Sequence, residues 1–306
     1  MLRRKEKIKK PRIAEIDFIR GVLIWFVVVD HFFYDFTSWG AMRAIFPAFQ
    51  ADIMYSANFY WGWHVRIITR LMILSIFFLI SGISCYFSRN NLKRGIILFG
   101  LGGVIDLVFF IGGRFIFNDS GAYVFFGAIS CFGLSILVYW FLKFLFDKIY
   151  PNHHDDFKWM ILCLGMMCIG IGVLFNVFSL NGPAGVYDIT WDNFFLVVVG
   201  YRQHFGSDWL PLFPYLGFLL VGVFFGEILY KERKSLFTFS LPNEIAFNAS
   251  TSRKVNYYGV IMPAKGIKRF FTFSGHYSIF FYIIHQPVLI LLISIVLLCM
   301  GYKIGL

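Results

Sequence analysis

Residues 12–36 read RIAEIDFIRGVLIWFVVVDHFFYDF, an apolar run interrupted by groups that can ionise. Charged side chains are expensive inside a membrane span, so they face the bundle interior and mark a pathway or a site. Arg20 and His31 stand 11 positions apart. On a helix that spacing falls about 20° from three full turns, placing both on one face roughly 16 Å apart along the axis. Asp35 follows His31 by one turn on the same face. A carboxylate one turn from an imidazole is a way of orienting a general base, so His31 and Asp35 are the candidate catalytic residues. Asp17 precedes Arg20 by three and is placed to pair with it. The plainer reading makes Asp17–Arg20 a helix-end ion pair and His31 a satisfied interhelical donor.

The next apolar run opens WGWHVRIITRLMI, with Arg66 and Arg70 one turn apart and His64 at the rim. Like charges at that spacing repel, so they need anionic partners. Asp30, Asp35 and Asp52 are the protein's candidates, and an anionic substrate is the other; both remain open. His64, Arg66 and Arg70 are therefore candidate substrate-binding residues. Near the carboxyl end, His285-Gln286-Pro287 interrupts an apolar stretch. Proline there removes a backbone hydrogen bond and can kink a helix, freeing carbonyls inside the bundle. Asp106 is an isolated acid in the third run, expected to pair with an arginine.

These residues need helices to position them, and the composition supplies helices that live in lipid. The 306 residues are 58% hydrophobic and only 15% charged, with a mean hydropathy of +0.70. Soluble domains run about 45–50% apolar and about 25% charged, so a disordered chain or an ordinary soluble enzyme is excluded. About 20 consecutive apolar residues span a bilayer as a helix. Such runs occupy about 16–36, 64–87, 93–116, 121–146, 157–180, 211–230 and 275–301. The expected fold is all-α: a polytopic helical membrane bundle of about seven spans, forming one domain over 1–306. An eighth run at 191–201 is too short to cross and reads as re-entrant or interfacial. The first run resembles a secretory signal, but its length, its charged residues and the lack of a cleavage site make it a retained helix.

The net charge of +11 raises the question of where the cations sit. Residues 1–15 hold seven, 88–95 three, 143–158 three and 231–269 eight, which is 21 of 28. Short basic loops stay cytoplasmic, and seven spans with the amino terminus inside put all four segments on that side. The tryptophans at 39, 61, 63, 191 and 209 gather at the outer ends, as interface anchors do. Cations hugging span ends are an insertion signature, and nucleic acid is not an expected partner. Residues 231–269 form a cytoplasmic connection.

The five cysteines all lie within spans and read as small hydrophobes rather than a disulfide framework. HHDD at 153–156 is a polar turn; adjacent residues rarely converge on one ion, and no metal is expected. Asn118-Asp119-Ser120 matches a weak glycosylation pattern.

The strings RIAEIDFIRG and DHFFYDF resemble the bacterial heparan-alpha-glucosaminide N-acetyltransferase catalytic-domain family. FFLISGIS at 77–84, RNNLKRG at 89–95, SDWLPLFPYLGFLLVG at 207–222 and FYIIHQPVL at 281–289 extend the likeness over nearly the whole chain. The spacing from Arg20 to His31 is also similar to the motif of the broader acyltransferase-three group of transmembrane acyltransferases. The long 231–269 segment departs from relatives that connect their last two spans briefly. The resemblance implies a multi-pass enzyme, in the bacterial cytoplasmic membrane, that takes acetyl from cytosolic acetyl-CoA. It delivers that group to an extracytoplasmic sugar or glycan acceptor, one that an anionic group would suit; a homodimer is compatible with this. On that reading Arg20, Arg89, Lys93 and Arg94 hold the CoA, since phosphates favour charge-assisted hydrogen bonds. His285 and Gln286 line the thioester passage, and His31 is the base, with an acetyl-histidine intermediate as the alternative route. The competing classes are a secondary transporter of a small anionic solute, which would show paired broken helices in an inverted repeat, and a non-catalytic membrane protein.

Overall fold

A computed structural model describes residues 13–37, 40–112, 124–175, 185–186, 189–204, 208–231, 236 and 267–305. Helices α1 (Ala14–Tyr34), α2 (Met42–Ile45), α3 (Pro47–Gly62), α4 (His64–Phe87), α5 (Asn91–Gly112) and α6 (Ala128–Ile149) come first. They are followed by α7 (Phe157–Leu174), α8 (Phe194–Val199), α9 (Leu212–Leu229), α10 (Ile267–His276) and α11 (Ser278–Cys299). The extended segments β1 (Gly185–Val186) and β2 (Gln203–His204) pair in parallel over two residues. The protein is a polytopic helical membrane bundle.

Six helices, α4, α5, α6, α7, α9 and α11, are long and apolar enough to cross a bilayer. The expected first span is also a continuous helix, 21 residues long in α1. At 1.5 Å per residue that is about 31 Å, the thickness of a hydrocarbon core. Glu15, Asp17, Arg20 and Asp30 set α1 apart from the other six. The run at 191–201 yields only the six-residue α8. The last run divides: residues 275–276 finish α10, and α11 starts at Ser278. Pro287 lies inside α11. All five cysteines are unbridged. The 118–120 sequon and nearly all of 231–266 fall outside the described residues.

The chain divides into two compact units. The first joins Met1–Val28 to Ile228–His285. Within it, Gly21 and Gly275 let α1 and α10 touch backbone to backbone: a Cβ on Gly21 would strike the Phe271 carbonyl, and one on Gly275 the Asp17 carbonyl. Membrane helices gain contact this way because lipid supplies no hydrophobic drive between them. Trp25 Nε1 donates to Ser274 Oγ at 3.0 Å.

The second unit joins Val29–Glu227 to Gln286–Leu306. Its most enclosed helix is α9, with 67% of its apolar window buried, against 17% for α5. A Cβ on Gly82 of α4 would meet the Leu219 carbonyl, and one on Gly222 of α9 the Leu79 carbonyl. This crossing lets the Phe78 ring stack on Phe132 of α6 at 3.7 Å and tilt against Tyr215 at 5.1 Å. The turn into α5 is capped: Asn90 Oδ1 accepts from the Lys93 amide at 2.8 Å, and Asn91 Nδ2 donates to the Cys85 carbonyl at 2.9 Å. Helices α2 and α3 lie between the first two apolar runs. Phe36, Met42, Phe46 and Ala57 bury with Ile293 and Leu297 of α11, and that apolar cluster holds them in place.

Candidate active site

The C-terminal end of α1 carries the predicted catalytic residues, within the second unit. The helix closes at Tyr34, where Thr37 Oγ1 donates to the Tyr34 carbonyl at 2.8 Å. The Asp35 amide still donates to the His31 carbonyl at 3.0 Å, so Asp35 belongs to the final turn. Its own carbonyl accepts from the Met42 amide at 3.0 Å, tying the turn to α2. A Cβ on Gly40 would strike the Tyr34 and Asp35 carbonyls, and glycine there permits the tight return. His31 is half-buried, and Asp35 is fully buried. The Asp35 carboxylate is turned to α11, where Gln286 Nε2 donates to its Oδ1 at 2.6 Å. Its Oδ2 has no hydrogen-bond partner among the described residues.

Arg66 is buried, and Asp30 is its partner. Nε donates to Asp30 Oδ1 at 2.7 Å and Nη2 to Oδ2 at 2.5 Å, a two-pronged fork. Such bidentate charge-assisted bonds are the strong ones. The guanidinium also lies over the Trp61 ring, 3.5 Å from its centroid, a cation–π contact worth about 2 kcal/mol when dehydrated. Tyr60 Oη donates to Asp30 Oδ1 at 3.3 Å. Burial first, and then the Asp30 carboxylate, raise the Tyr60 phenol above its ordinary value, so it remains a proton donor. The α1 rings seat the pair: Phe33 lies 4.3 Å from Tyr60 and Tyr34 4.9 Å from Trp61. Of the anionic partners open to Arg66, the protein's Asp30 is the one in contact. Asp52 is exposed.

Arg70 differs. It is half-buried and makes no ion pair with any described residue. His64, the first residue of α4, is exposed. On the turn between α4 and α5, Arg89 and Lys93 are exposed. Arg94 reaches the Cys85 sulfur at 3.7 Å.

In the first unit, Arg20 Nη1 donates to Asp17 Oδ1 at 2.9 Å and to the Gly275 carbonyl at 3.5 Å. His285 Nδ1–H donates to the Tyr282 carbonyl at 2.6 Å, which leaves Nε2 as the acceptor nitrogen.

One expectation is corrected among the described residues. There Asp106 pairs with no arginine: Ser130 Oγ, at the start of α6, donates to its Oδ2 at 2.9 Å. In the 153–156 turn, His153 and Asp156 are exposed and pair with each other at 3.0 Å. Sequence reasoning missed Tyr60, which adjoins Trp61 and bonds to Asp30.

The family model of the heparan-alpha-glucosaminide N-acetyltransferase catalytic domain matches residues 12–287. The chain belongs to this family. The match starts just before Asp17 and Arg20 on α1 and ends at Pro287, so it takes in every predicted site residue. Family membership makes the protein a membrane acetyltransferase. No curated protein and no solved structure matches the chain.

Proposed function

We propose that this acetyltransferase takes acetyl from cytosolic acetyl-CoA and passes it to a sugar or glycan acceptor on the far side of the bilayer. The observation that carries the reading is the group of ionisable side chains at the outer end of α1, inside the matched region. The basic balance of residues 1–15, 88–95, 143–158 and 231–269 supports an amino terminus in the cytoplasm. The membrane on this reading is a cytoplasmic membrane.

His31 takes the proton from the acceptor amine or hydroxyl as that group attacks the thioester carbonyl. A bond forms between acceptor and acetyl carbon, the carbon–sulfur bond breaks, and the proton returns to the departing CoA sulfur. Asp35 is the residue assigned to orient the imidazole, although here its Oδ1 accepts from Gln286 Nε2 and its Oδ2 has no partner among the described residues, so the carboxylate is not bonded to His31. Arg20, Arg89, Lys93 and Arg94 are each assigned to the anionic donor. His285 and Gln286 line the passage for the thioester. His64, Arg66 and Arg70 belong to the acceptor end, where Arg66 is held in place by Asp30.

The test is CoA release from acetyl-CoA by purified protein, with glucosamine as acceptor. His31→Ala is expected to abolish release while the variant stays folded in detergent. Full turnover by that variant would remove His31 from the reaction. Solute uptake into vesicles without CoA release would favour a transporter.

A further inference from the structure

Gln286 stands at the head of the α11 face that holds α2 and α3. Ile290, Ile293 and Leu297 follow it by 4, 7 and 11 residues, a helical spacing that puts all four on one side. Those three pack in the apolar cluster with Phe36, Met42, Phe46 and Ala57. The same packing brings the Gln286 amide against Asp35, which has no exposed surface. Asp35 is thereby held twice. Its carbonyl accepts from the Met42 amide at 3.0 Å, and its Oδ1 accepts from Gln286 Nε2 at 2.6 Å. A carboxylate only accepts, so the side-chain amide must turn its NH₂ to it, and Gln286 Oε1 faces elsewhere. Like Asp35 Oδ2, Oε1 has no partner among the described residues. Buried polar atoms are ordinarily satisfied, so the oxygen left over on Asp35 is the one open to a group that takes part in the reaction. Which oxygen that is, and where it points, depends on the amide.

We infer that Gln286 is a positioning residue that works through Asp35: it takes Oδ1 and so keeps Oδ2 as the oxygen that serves the reaction. This is a different task from lining the thioester passage. Without the amide the carboxylate can turn about its Cβ–Cγ bond, and a misplacement of about 1 Å in a catalytic group costs up to about 100-fold in rate. The inference rests on the proposed transferase, in which Asp35 serves the base His31.

The experiment is steady-state CoA release by the full chain in detergent, with acetyl-CoA and glucosamine varied in turn. Gln286→Met keeps the chain length and loses the donor. It is expected to lower kcat at least about tenfold while KM for acetyl-CoA stays within about twofold of wild type. Gln286→Glu fills the same space with an acceptor and should show the same split, which covers the case of a first variant that does not fold. In an Asp35→Asn background, Gln286→Met should cost less than about threefold, since two residues acting as a unit are not additive. A purely structural tie would lower the thermal midpoint and leave kcat of the folded protein unchanged, and that result overturns the inference. A raised KM for acetyl-CoA at constant kcat also overturns it and returns Gln286 to the thioester passage. Wild type that releases no CoA removes the transferase reading and the inference with it, whereas an active wild type matched by both Gln286 variants removes the inference alone.

Discussion

Arg20 and Arg66 are both buried arginines of a membrane bundle, and each meets a carboxylate, but the carboxylates come from different places. Asp17 lies three residues before Arg20 on the same helix, so that pair forms whenever α1 forms. Asp30 lies on α1, and Arg66 on α4, 36 residues away in sequence. This second pair exists only when two helices have met. It joins two short bonds to an aromatic face, while Arg20 meets Asp17 at 2.9 Å within its own helix. A local pair neutralises a charge; a pair between helices also specifies which helices pack together.

The largest effect should come from Asp30→Asn, which leaves the buried Arg66 guanidinium without its counter-charge. Breaking such a pair costs about 3–5 kcal/mol, read as a large drop in thermal midpoint in detergent. A midpoint equal to wild type would mean that Asp30 contributes nothing to the α1–α4 contact. Arg66→Lys sharpens the comparison, since lysine keeps the charge but not the fork; its midpoint should fall between wild type and Asp30→Asn. Asp17→Asn should cost less, about 1.5–3 kcal/mol for one hydrogen bond to a charged group, because Arg20 retains the Gly275 carbonyl. If Asp17→Asn proved the more damaging of the two carboxylate variants, the contrast between local and interhelical pairs would collapse. The smallest change belongs to Lys143→Gln, which breaks an exposed pair with Asp147 on α6. Exposed pairs at this spacing contribute about 0.3–0.5 kcal/mol, so chemical unfolding should barely distinguish the variant from wild type.

The helices were legible because lipid imposes a simple rule: a span must be apolar over its whole length. The run at 64–87 therefore reappears as α4 with the same ends. Where several causes compete, the boundaries moved. The 121–146 run begins as α6 only at Ala128, after the Gly127 cap. The α2–α3 cap escaped notice because its burial depends on Ile293 and Leu297, far along the chain. The candidate site shows the same division. The stripe from Arg20 to Asp35 could be read from helical spacing, but the turn of Asp35 toward Gln286 could not, since nothing local to residue 35 announces residue 286.

By itself, the sequence determined that this protein is a helical membrane bundle, which helix carries the ionisable stripe, and that Asp17 answers Arg20. Those follow from hydropathy and from the 3.6-residue period, which act within one segment. Only the tertiary structure decided that Arg66 meets a carboxylate and that Arg70 meets none among the described residues. The two arginines have the same type, the same helix and nearly the same surroundings in sequence. What separates them is that packing brought the distant Asp30 within reach of Arg66 alone.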